Sequence, residues 1–91
     1  MTLTSYIHEG ISVTILTLSI LFTRNVYIVG ATYFLLLLAG DKEHMGFINP
    51  AITFAMAVSG SITSRSVLYY WIAQFVGALL ALQIYVSMTR S

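Results

Sequence analysis

Pro50 constrains this chain most. It interrupts a short apolar stretch, Met45 to Val58, of about 14 residues that Ser59-Gly60-Ser61 closes. Inside a helix, proline removes a ladder hydrogen bond and clashes with the preceding turn. At the first helical position it costs nothing, because the N–H there has no intrahelical partner to lose. Asn49, directly before it, is a favoured N-cap. The spacing therefore predicts a helix from Pro50 to about Val58, entered through an extended segment, Gly46-Phe47-Ile48. A helix that crosses a bilayer needs about 20 apolar residues. This one stops half way.

Composition decides what surrounds it. The 91 residues are 58% hydrophobic and 8% charged, whereas a soluble domain carries about a quarter charged residues to solvate its surface. The apolar surface must therefore face lipid or partner protein. A net charge of +1 leaves no electrostatic footprint for nucleic acid. Without cysteine there is no disulfide framework and no thiolate metal site. Three acidic residues and two histidines, with no nucleophile beside a base, give no catalytic constellation, so neither an enzyme nor a cofactor is expected. His44 with Asp41 or Glu43 supplies too few ligands for a metal. The N-terminal residues Met1 to Glu9 lack the basic region of a signal peptide, and the first apolar stretch is expected to be a retained span.

Three longer runs flank the short one. The first extends from about Tyr6 to Thr23, and Arg24-Asn25 alone separates it from the second, Val26 to about Gly40. So short a connection makes the two helices antiparallel neighbours. The last run, about Val67 to Val86, opens with Tyr69-Tyr70-Trp71 and closes near Tyr85, aromatics placed as membrane anchors at both interfaces. Within it Ala73, Gly77 and Ala81 form a small-residue stripe that lets another helix approach closely. Gln74 beside the stripe needs a polar partner in lipid. The expected fold is an all-α, multi-pass integral membrane protein: three spanning helices plus a re-entrant loop with a half-helix, as one unit over residues 1–91. Non-helical backbone at membrane depth persists only where it is buried in protein or lines a watery cavity. Some further unit must complete this one.

With these residues in place the chain resembles the aquaporin and glycerol-facilitator family, the major intrinsic proteins. The resemblance rests on Asn49-Pro50-Ala51; on Gly30, nineteen positions earlier; on Ile72-Ala73-Gln74-Phe75-Val76-Gly77-Ala78; and on Glu9. It covers nearly the whole chain, but one repeat of a family whose members carry two. The family's first pore loop usually reads Gly-His-x-Ser-Gly, where this chain has Asp41-Lys42-Glu43-His44-Met45. The loop between its first two spans is also unusually short. Ile52 follows the motif where second repeats carry an arginine, which marks this chain as similar to a first repeat.

The resemblance implies roles. Asn49 caps the half-helix and turns its amide N–H2 into a pore, with Pro50 and Ala51 completing the motif. Carbonyls of Gly46, Phe47 and Ile48 line the approach, and Val29 and Ile52 sit near the mouths. Glu9, with Gln74, supports the pore loop; Gly30, Ala73, Gly77 and Ala81 pack helices. Two half-helix N-termini, each positive from aligned peptide dipoles, would meet at mid-bilayer and repel cations and protons. From the tripeptide alone, Asn49 is simply a cap, and the plain reading of Glu9 is a carboxylate reaching interfacial water; the matching flanks favour the pore role of Asn49. Arg24 and Arg90 fall on one side, Lys42 and Arg65 on the other, so the positive-inside rule gives no orientation bias. That balance suits an antiparallel homodimer passing water or small neutral solutes. The alternatives are pairing with a separate second-repeat chain, or a non-conducting truncated or modulatory membrane protein.

Overall fold

The computed structural model describes residues 2–40 and 47–90; Gly46 and the charged segment 41–45 lie outside the described residues. The described residues form four helices: α1 (Leu3–Thr23), α2 (Val26–Ala39), α3 (Pro50–Val58) and α4 (Ser64–Thr89). Helices α1 and α4 are long and apolar enough to cross a membrane; α2, with 14 residues, is shorter. The longest dimension, 44 Å, matches a bilayer including its headgroup regions, about 40–45 Å.

Each boundary has a local cause. The Thr2 hydroxyl accepts from the Ser5 N–H and starts α1 three residues earlier than the apolar run suggests. Arg24 then takes a left-handed conformation, φ 47°, and Asn25 returns to extended backbone to cap α2 through the Tyr27 and Ile28 N–H groups. One left-handed residue followed by one cap is enough to reverse the chain. At the end of α3, Gly60 has φ 87°. The Ser61 N–H reaches the Met56 carbonyl at 2.9 Å and the Gly60 N–H the Ala57 carbonyl at 3.0 Å, the paired bonds of a Schellman stop. Helix α4 outruns its expected bounds at both ends. Thr63 caps it through the Ser66 N–H, and Ser87-Met88-Thr89 contains no glycine or proline to stop it before its C-cap, Arg90.

Helices α1 and α4 run parallel in a fixed register. Tyr6 meets Tyr69, Gly10 meets Ala73, Thr14 meets Gly77 and Phe22 meets Tyr85, every pair 63 residues apart. The contact is closest at the small residues. The Thr14 hydroxyl lies 2.9 Å from the Gly10 carbonyl and 3.0 Å from that of Gly77. A Cβ on Gly77 would stand 2.4 Å from the Gly10 carbonyl oxygen. Buried Ala81 continues the stripe. The parallel register also places Arg24 and Arg90, the C-caps of α1 and α4, at the same end of the bundle.

Two expectations need correction. Ile48 is not extended: it adopts φ 56°, a left-handed conformation strained for a β-branched residue. Nor is Tyr70 an interfacial anchor. It is 2% exposed, with its ring edge-on to Phe47 and Tyr6. Phe47 before the half-helix and Ile62 after it join Val67 and Tyr70 in one buried cluster, so both ends of the re-entrant loop are pinned to the start of α4.

Candidate functional site

The site is the N-terminus of α3 and the polar groups that hold it. Pro50 occupies the first helical position, and the Asn49 Oδ1 accepts from the Ala51 N–H at 2.8 Å. Because that contact uses the oxygen, the two Nδ2 hydrogens remain as donors on an exposed side chain. The Thr53 hydroxyl returns a second hydrogen bond, 2.9 Å, to the Asn49 carbonyl, which also accepts the Thr53 N–H.

Behind this end lies a buried polar chain that joins three helices. Glu9 of α1, Thr53 of α3 and Gln74 of α4 are 2%, 0% and 2% exposed. The Gln74 Nε2 donates both hydrogens, to Glu9 Oε1 at 3.0 Å and to Thr53 Oγ1 at 2.7 Å. Glu9 Oε1 also accepts the Ile48 N–H. A buried polar group without a partner costs about 1–3 kcal/mol, so each bond here matters chiefly by what its loss would strand. The Ile48 bond explains the left-handed backbone, which turns that N–H toward α1 rather than along the loop. The Gln74 Oε1 is the buried side-chain oxygen among the described residues left without a hydrogen-bond partner.

The expected site residues divide accordingly. Gln74 bonds the half-helix at Thr53, Glu9 bonds Gln74 and the Ile48 N–H just before the half-helix, and Phe47 and Ile48 are buried. Pro50, Ala51 and the exposed Ile52 sit on its first turn. Ala73 and Gly77 pack on Gly10. Val29 and Gly30 are not brought to this group: α2 packs on α1 and not on α3, and a Cβ on Gly30 would meet nothing within 4 Å. Gly46 lies outside the described residues.

Sequence reasoning missed Thr53, Gly10, Thr14 and the polar use of Trp71. A signal existed for two of them. Gly10 and Thr14 are four apart, as are Ala73 and Gly77, so each helix carries a small-residue notch that the other fills.

The sequence profile described as major intrinsic protein matches residues 11–91, and the chain belongs to that family. It is 50% identical over 36 residues to probable aquaporin TIP3-2 of Arabidopsis thaliana, covering 40% of this chain and 14% of that protein. To probable aquaporin TIP2-1 of Oryza sativa subsp. japonica it is 56% identical over 36 residues, again 40% and 14% of the two chains. To aquaporin TIP2-1 of Arabidopsis thaliana it is 40% identical over 52 residues, 57% of this chain and 21% of the relative. The matched stretches thus span about a fifth or less of these relatives. No solved structure matches.

Proposed function

We propose that this chain is one half of a passive channel for water or small neutral solutes, completed by an inverted half that is a second copy of the chain. One observation carries the reading. The half-helix is bonded by α4, and α1 holds the Ile48 N–H just before it, while its capping Asn49 stays exposed with no acceptor for its amide hydrogens among the described residues. A brace of that kind suits an N-terminus presented to a passing water oxygen, where the aligned peptide dipoles also disfavour cations.

What is left open supports completion by an inverted half. No residue of α2 is buried, and Asn49, Ile52 and Phe54 are exposed on a helix too short to cross a membrane alone. Backbone at membrane depth must be covered by protein or line a cavity. Inverted repeats pair such units about an axis in the membrane plane, and the balanced charges of Arg24, Arg90, Lys42 and Arg65 favour neither orientation. Val29 and Ile52 of each copy would then flank the two mouths, without an arginine. Lipid surrounds the assembly.

Stopped-flow osmotic shrinkage of liposomes holding the purified chain tests this. The chain should shrink vesicles faster than empty controls, and Asn49→Asp, which keeps the capping oxygen but removes both donors, should suppress the gain. If folded, helical protein shrinks vesicles no faster than the controls, the self-sufficient channel is refuted. Co-reconstitution with a second-repeat partner would then decide between a two-chain pore and a non-conducting membrane protein.

A further inference from the structure

The indole N–H of Trp71 donates to the Pro50 carbonyl oxygen at 3.0 Å, and the ring stacks on Phe54, 6.4 Å between centroids with 21° between planes. Membrane anchoring requires neither contact. The bond has a twin: Gln74 of α4 donates to Thr53 of α3 at 2.7 Å. Both pairs are 21 residues apart, so the donors, three positions apart on α4, meet acceptors three positions apart on α3. Residues at that spacing share one helix face. A short helix tied at a single point can swivel about its own axis; tied at two points on one turn, it cannot.

We propose that Trp71 is a positioning residue for Asn49, fixing the rotation of the half-helix and so the direction in which the Asn49 amide donors point. The role of Asn49 in permeation rests on the pore reading above, whereas the orientation of its amide is a separate observable. Pro50 directly follows Asn49, so the Trp71 rung acts one peptide away from the capping residue. Removing it leaves Gln74–Thr53 as the remaining side-chain hydrogen bond from α4 to α3 among the described residues, with the Phe47–Ile62 cluster and the Glu9–Ile48 bond holding the segments on either side. The loss of one neutral hydrogen bond then shifts the balance of rotations by about fivefold.

The chain contains a single tryptophan and two asparagines, Asn25 and Asn49. A tryptophan analogue with sulfur in place of the indole N–H therefore enters at position 71 alone. It keeps the ring's shape and its stack on Phe54 while deleting the donor. Asparagine-selective nitrogen labelling gives two side-chain amide pairs, with Asn25 as the internal reference. In micelles the analogue should move and broaden the Asn49 pair and leave the Asn25 pair in place. In conducting vesicles it should lower the ratio of water to glycerol permeability by up to about fivefold. A Trp71→Phe variant should do the same where it folds.

Loss of thermal stability with an unmoved Asn49 pair would make Trp71 merely structural and overturn the proposal. An unchanged permeability ratio in a conducting chain would also overturn it. If the unmodified chain carries no water, the pore reading fails, and the Asn49 resonances still decide whether Trp71 orients the amide.

Discussion

Replacing Gly77 by alanine places a methyl carbon 2.4 Å from the Gly10 carbonyl oxygen, 3.2 Å from the Gly10 carbonyl carbon and 3.2 Å from the Thr14 hydroxyl. The nearest atom is backbone in the middle of a helix, so no side chain can swing away. Helices α1 and α4 must part until that 2.4 Å contact opens to at least 3.0 Å. Overpacking of this kind costs about 1–3 kcal/mol. Parting the helices also stretches the 3.0 Å bond from Thr14 to the Gly77 carbonyl, worth about 1 kcal/mol. The higher helix propensity of alanine returns at most about 1 kcal/mol. The net loss is about 2 kcal/mol. Gly30→Ala is the matched control, because a Cβ there meets nothing within 4 Å; it should be neutral or stabilising by up to about 1 kcal/mol. Equilibrium unfolding in detergent, followed by Trp71 fluorescence and helical circular dichroism, measures both. A Gly77→Ala chain within about 0.5 kcal/mol of the Gly30→Ala chain would refute the close-packing argument, since the two substitutions share the same propensity change.

Further outcomes follow from the brace. Both bonds to Glu9 land on Oε1, which the amide oxygen of glutamine can replace. Glu9→Gln should therefore stay within about 1 kcal/mol of the parent, whereas Glu9→Leu strands two buried donors and should cost about 2–4 kcal/mol in the same unfolding assay. An equal effect of the two would show that those bonds do not hold the loop. Thr53→Val keeps shape but removes the acceptor for Gln74 and the donor to the Asn49 carbonyl, costing about 1–3 kcal/mol. Thr53→Ser, which keeps the hydroxyl, should restore most of it.

The short helix shows why some of this architecture was legible in advance. Its bounds, Pro50 to Val58, depend on a cap, a proline and a glycine stop, all within a dozen residues of one another. The Arg24-Asn25 reversal and the two long apolar helices are local in the same sense. Glu9 and Gln74 could be singled out because a carboxylate and an amide in an apolar run demand partners. Their actual partners could not be named from periodicity. The pairs Trp71–Pro50 and Gln74–Thr53 span 21 residues, Ile48–Glu9 spans 39 and Gln74–Glu9 spans 65. Nothing in the local pattern distinguishes Thr53 from the other hydroxyls of the chain.

Hydrophobicity, capping and proline chemistry act between near neighbours or on each residue singly, so the sequence by itself determined that this chain is helical, apolar and interrupted by a half-helix at Asn49-Pro50. The tertiary structure alone decided which faces meet. The parallel register of α1 on α4 depends on two notches so close that a Cβ on Gly77 would stand 2.4 Å from the Gly10 carbonyl oxygen. Only that fit brings Glu9 beside Gln74 and turns Ile48 left-handed. It also buries Tyr70, which the aromatic pattern had placed at the interface. These outcomes depend on steric complementarity and on satisfying buried polar groups across the whole chain, terms that exist only once distant segments are in contact.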